Sequence, residues 1–185
     1  MTKYYKKDCD GCNRSQGKDN VRGGVVELKG DWTLNHYGGQ EGFLGWMALQ
    51  PRYHKMTIAD LESDELSSLG DNIKKIDEAL GSYWKICFND RLERVYVLYF
   101  FESFYDRPIP TKFHLHIHLI PRPKSFDPLL REYSKLNSGE KSSINVWGIP
   151  KLTKYKDLFP EKYLQNEENV KKLMDYLRDF FKGLD

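Results

Sequence analysis

The sequence predicts an α+β domain: an antiparallel β-sheet of about five strands with one long helix packed on it and a further helix at the C-terminus. Three observations carry that expectation. Apolar runs of strand length recur along the first two thirds of the chain, separated by Gly and Pro. Between them, Leu66, Leu69, Ile73, Ile76, Leu80 and Tyr83 step by three and four, the spacing of one helical face. Residues 113–122, FHLHIHLIPR, place His114, His116 and His118 on every second position of an apolar run. That period of two belongs to a strand, with the histidines on one face and Phe113, Leu115, Ile117 and Leu119 on the other.

Taken in order, residues 1–24 read as an irregular, lysine-rich arm around Cys9 and Cys12. Residues 25–28 and 32–34 form two short strands, with Lys29-Gly30-Asp31 as the hairpin turn. A Gly-rich loop follows over 36–42, with His36 exposed in it. Residues 45–49, GWMAL, make a third strand that stops at Pro51. Ser63 suits a helix N-cap, with Asp64 and Glu65 favourable in the first turn. Cys87 ends that helix between Ile86 and Phe88 and reads as a small buried hydrophobe. Residues 95–101, VYVLYFF, are β-branched and aromatic, a buried strand. Pro108 and Pro110 then break the chain before the histidine strand. Residues 123–165 have scattered Pro, Gly, Ser and Lys, which predicts little regular structure. Val170, Leu173, Met174, Leu177, Phe180 and Phe181 share a face of a last helix that Gly183 terminates. The organisation is therefore an arm (1–24), a core (25–122) and an extension (123–185) packed on the same domain.

Composition narrows the function. The chain has 185 residues, 39% apolar and 30% charged, enough for one sizeable domain. Lys plus Arg (29) nearly balances Asp plus Glu (27), so no overall field marks a nucleic-acid or membrane binder, and a phosphate site must use local charge. The first residues, MTKYYKKDCDGC, lack an apolar signal core, and no apolar run is long enough to span a bilayer. Three cysteines make an odd number, which argues against a disulfide framework and for a reducing, cytoplasmic setting.

The chemistry concentrates in the histidine row. A surface strand with accidental histidines is the bland alternative. Alternating imidazoles also suit a metal site or phosphoryl and nucleotidyl transfer, because neutral imidazole is a nucleophile near neutral pH. Arg122 and the loop from Arg107 to Lys112 add cationic groups beside it. Spacing alone does not choose between metal and phosphate. The Cys9-Asp-Gly-Cys12 pair is equally ambiguous: half a zinc site, or a redox pair.

The wider motif is more specific. His114-Leu-His116-Ile-His118-Leu-Ile followed by Pro-Arg resembles the signature of the histidine-triad superfamily at every position. Upstream, Gly45 to Pro51-Arg52-Tyr53-His54 resembles that family's Gly-x-φ-φ-φ-x-Pro-x-x-His segment, φ being an apolar residue. Together the matches cover residues 25–122. The resemblance implies a nucleotide-binding α+β fold and cleavage at a nucleotide α-phosphate through a covalent nucleotidyl-histidine. His116 is then the nucleophile, His118 assists at the phosphate and leaving group, and His114 orients the strand or binds metal.

In zinc-binding branches the N-terminal Cys pair is completed by the Pro-x-x-His histidine and the first triad histidine. The implied structural Zn2+ ligands are Cys9, Cys12, His54 and His114, and no organic cofactor is expected. Asn35 occupies the place of a ribose ligand, though Asn also suits the turn before Gly38-Gly39. Thr111 stands where the family has a phosphate-binding hydroxyl. The usual Gly-Gln before it is replaced by Ile109-Pro110, which Lys112 and Arg107 offset or merely border as solvated charges. The implied substrate is a nucleoside phosphoramidate or dinucleoside polyphosphate, purine in preference, and the implied assembly is a homodimer. Retention of His118, where transferase members often have Gln, leans toward hydrolysis. A nucleotidyltransferase, a nucleotide-binding module with little activity and a three-histidine metalloenzyme are the alternatives.

Overall fold

The computed structural model describes residues 3–39, 42–99, 113–136 and 160–183, with side chains of 132–136 excepted. Five strands form one antiparallel sheet: β1 (Val25–Leu28), β2 (Trp32–His36), β3 (Met47–Pro51), β4 (Leu92–Tyr99) and β5 (Ile117–Pro123). Their spatial order is β1-β2-β3-β5-β4, so the histidine strand lies inside the sheet. The α+β fold expected from the sequence is therefore present, with differences at the edges of its elements. No described helix is long and apolar enough to cross a membrane.

The β1–β2 hairpin turns at Gly30 and Asp31, both with positive φ. Gly30 also lies so close to Ser68 and the Asp64 carbonyl that a Cβ there would overlap them. β2 runs on through His36, which pairs with Met47 and is buried, not exposed in a loop. β3 begins at Met47, two residues later than expected. Gly45, at φ +86°, turns the chain against the Trp84 ring before the strand begins.

The long helix, α2 (Ser63–Phe88), already includes Ser63, the expected cap. Glu62 is the cap, and its N–H donates to the Glu65 carboxylate at 2.7 Å. Ile76, Leu80 and Tyr83 are buried as the periodicity requires, but Leu66 is 54% exposed. The first turns instead bury Glu65, Ser68 and Asn72. These polar groups hold the hairpin: Trp32 Nε1–H donates to the Glu65 carbonyl (2.8 Å) and Asn72 Nδ2–H to the Lys29 carbonyl (2.9 Å). The helix ends on Asn89 in the left-handed region. Cys87 is exposed rather than buried, as is its neighbour Ile86, because the last turn carries them away from the sheet.

The two flanking segments hold more structure than their composition suggested. A short helix, α1 (Asp10–Ser15), lies in the N-terminal arm. After β5 comes α3 (Phe126–Leu136), then a 3-10 turn at Glu161–Tyr163 and the terminal helix α4 (Glu167–Lys182). Asn166 caps α4 by accepting from the Asn169 N–H at 2.8 Å. Its apolar face packs on α2, β1 and β2. Phe126, Tyr163, Val170, Leu173, Met174 and Leu177 join the same buried cluster as Trp32, Leu49 and Trp84.

Candidate active site and metal centre

β5 sorts its residues by face. Leu115, Ile117 and Leu119 are buried in the core cluster. His116 and His118 lie on the opposite face, with ring centroids 4.8 Å apart and planes at 81°. His118 alone of the three histidines is inside the paired strand; residues 113–116 lead into it without regular structure. Across the sheet, His118 opposes Ala48, which opposes Asn35. Opposed residues share a face, so Asn35 and His118 flank the small Ala48 side chain on one surface.

His116 is half-buried. Its Nδ1 is 2.9 Å from the His114 carbonyl oxygen. A carbonyl only accepts, so Nδ1 carries the proton and donates. In a neutral ring Nε2 then keeps its lone pair, the condition for attack on phosphorus.

His118 is set the other way round. Trp46 Nε1–H donates to His118 Nδ1 at 2.9 Å, and indole has no acceptor to offer. The proton of neutral His118 therefore sits on Nε2. Burial pushes its pKa down to about 4, with the neighbouring His116 adding to the shift, so the ring is neutral around pH 7. Tyr37 stacks on Trp46 (4.7 Å, 26°) and meets His118 edge-on at 5.1 Å.

His114 faces elsewhere. Its Nε2 donates to the Pro51 carbonyl at 2.9 Å, leaving Nδ1 bare. That atom lies 3.5 Å from both Cys9 Sγ and Cys12 Sγ. His54 Nδ1 is 3.6 Å from Cys12 Sγ, and one ligand atom from each of the four residues lies within 4.8 Å of the others. A tetrahedral ion with bonds of about 2.3 Å to sulfur and about 2.0 Å to nitrogen requires sulfur–nitrogen separations of about 3.6 Å. The donor set fits. All four side chains are buried. Burial pushes Cys12 up to about 12 and His114 down to about 4, so both hold neutral forms without a cation. A divalent ion reverses that balance for the thiols, and the Lys6 N–H pointing at Cys12 Sγ (3.3 Å) favours the thiolate.

Comparison with known proteins bears on the fold. No protein-family model matches the chain, and no curated protein does. Solved structures do. A histidine triad nucleotide-binding protein from Sulfolobus tokodaii superposes with a TM-score of 0.55, covering 95% of this chain and 93% of its own at 17% identity. A Hit-like protein involved in cell-cycle regulation from Bartonella henselae gives 0.52, covering 95% and 98% at 14% identity. A zinc-bound histidine triad family protein from Mycobacterium smegmatis gives 0.50, covering 96% and 95% at 14% identity. The chain has the histidine-triad fold.

Within that histidine-triad fold, the other residues singled out by the sequence separate. Asn35 is buried, and its Nδ2–H donates to the His36 carbonyl at 3.0 Å. Its Oδ1 has no partner among the described residues. Arg122 turns to the β4–α3 side: Nη2 donates to Asp127 at 2.7 Å and Nη1 to the Tyr96 hydroxyl at 3.3 Å. Arg107, Thr111 and Lys112 lie outside the described residues. The structure adds Trp46, Tyr37 and the Pro51 carbonyl, none of which the sequence reading assigned to the site. Trp46 stood in the apolar run GWMAL, where an aromatic residue reads as ordinary core.

Proposed function

We propose that the chain is a nucleotide hydrolase that cleaves at the α-phosphate of a nucleoside phosphoramidate or dinucleoside polyphosphate through a nucleotidyl-His116 intermediate. The observation that carries this reading is the His116 ring, half-exposed, with Nδ1 engaged by a backbone carbonyl, which makes Nε2 the lone-pair nitrogen of the neutral ring. In the first step Nε2 forms a bond to the α-phosphorus. The bond from phosphorus to the leaving nitrogen or oxygen breaks, and its electron pair departs with that atom. His118, with its proton on Nε2, donates a hydrogen bond to the departing group. In the second step water attacks the same phosphorus, the nitrogen–phosphorus electron pair returns to His116 Nε2, and the proton of water leaves to solvent. The product is a nucleoside monophosphate.

Asn35 is assigned to a ribose hydroxyl. Its Oδ1, without a partner among the described residues, is an acceptor on the His118 face, and two strand spacings, about 10 Å, separate the two backbones. Thr111 and Lys112, just before Phe113, supply phosphate contacts in this reading. Arg122 is left out because Asp127 and Tyr96 already hold its guanidinium. Cys9, Cys12, His54 and His114 would hold one structural zinc, which supplies a fixed tetrahedral corner; two sulfur and two imidazole donors are a zinc set.

The test is incubation with radiolabelled adenosine and guanosine phosphoramidates and dinucleoside polyphosphates, followed by a quench in base. Label on the protein together with release of monophosphate supports the reading. Label that passes only to a phosphorylated acceptor, with none to water, replaces hydrolysis by transfer. No label and no turnover with any of these substrates rejects both.

A further inference from the structure

We infer that Trp46 is a positioning residue whose indole N–H fixes His118 with its proton on Nε2, so that the third histidine presents a hydrogen-bond donor to the reacting phosphate. The contact is 2.9 Å, and Trp46 is 6% exposed. An imidazole with its proton on Nδ1 would set two donors head to head at that distance, so the contact allows one neutral tautomer of the two. Imidazolium, which carries protons on both nitrogens, is excluded for the same reason. The catalytic consequence rests on the reaction proposed above; the tautomer itself does not.

The rest of the loop makes Trp46 rigid enough for this work. Tyr37 stacks on the indole, the Tyr37 N–H donates to the Trp46 carbonyl (2.7 Å), and the Trp46 N–H donates to the Phe43 carbonyl (3.1 Å). The C-terminal extension then clamps the loop from outside. The Leu44 N–H donates to the Tyr163 carbonyl (2.9 Å), and Gln165 Nε2–H donates to the Gly39 carbonyl (2.7 Å). Residues beyond the sequence motif thus reach His118 through one loop and one indole.

The test is long-range nitrogen–proton NMR of the His118 ring in the full chain at neutral pH, in the wild type, in W46F and in a protein carrying benzothienylalanine at position 46. The last variant keeps the shape of indole and replaces its N–H by sulfur, so it remains informative where W46F unfolds. The wild type is expected to show protonated Nε2 and bare Nδ1, and the N–H-deleted proteins to populate the Nδ1-protonated form. In the same variants kcat is expected to fall about tenfold, the worth of one buried hydrogen bond, with KM within about twofold. Protonated Nδ1 in the wild type, or an unchanged tautomer after loss of the indole N–H, overturns the inference. The NMR result needs no substrate and so decides the role of Trp46 even where the proposed reaction fails.

Discussion

His114 and His116 are two residues apart, and each donates one ring N–H to a backbone carbonyl, yet the corners they build are opposites. At His114 the carbonyl of Pro51 takes the proton of Nε2, which leaves Nδ1 facing two cysteines in a closed, buried corner. At His116 the carbonyl of His114 takes the proton of Nδ1, which leaves Nε2 toward a half-exposed face. The difference teaches that the row of imidazoles is sorted by backbone acceptors rather than by residue type. It also links the corners: the residue that faces the cysteines supplies the carbonyl that orients the His116 ring.

The strongest way to break that contrast is to dismantle the closed corner. C9S with C12S is expected to remove bound zinc, measured by mass spectrometry of the intact protein, and to lower the melting temperature steeply; ion binding in small sites is worth on the order of 10 kcal/mol. Unchanged metal content in that variant would show that the corner is not a metal site. The open corner should respond in the reverse sense. H116A is expected to cut turnover by about 10⁴-fold or more while leaving zinc content and melting temperature near the wild type.

Acid sharpens the contrast next. His36 and His118 are each pushed down to about 4 by burial. The unfolded chain gains their protons below about pH 6.5, whereas the folded chain resists until about pH 4. Stability from these rings is therefore full above pH 6.5 and is lost progressively toward pH 4, by up to a few kcal/mol per ring. H36Q, which keeps an acceptor for the Gly45 N–H now bound to Nε2 at 3.2 Å, is expected to flatten part of that slope in melting curves. The smallest effect belongs to Asn35: N35A is expected to raise KM about tenfold with kcat little changed, as loss of one ribose hydrogen bond would. A kcat loss without a KM change would place Asn35 outside the ribose site.

Much of this was legible in the sequence because period and spacing are local. Alternation in residues 113–122 put Leu115, Ile117 and Leu119 in the core and His116 beside His118, but it misplaced His114, which turns to the cysteines before the paired strand begins. The spacing of α2 and α4 located both helices. What stayed hidden depended on what lies across the sheet or beyond a helix end. His36 looked like a loop residue beside glycines, but pairing with Met47 extends the strand over it. Cys87 looked apolar and buried, but no described element covers the last turn of α2 on its side, and Ile86 is 71% exposed. Trp46 looked like core; the positive φ of Gly45 and the stacking of Tyr37 bring its N–H to His118, and neither is written in residue periodicity. α3 was missed because Pro128 near its start and its polar composition mimic a loop, although a Pro in the first turn is compatible with a helix.

The most direct measurement maps the labelled site after reaction with a nucleoside phosphoramidate and a base quench, by fragmentation mass spectrometry of the modified peptide. The nucleotidyl group is expected on the ring of His116, bonded at Nε2. Recovery of the group on His114, on His118 or on any other side chain, with His116 unmodified, would contradict the account.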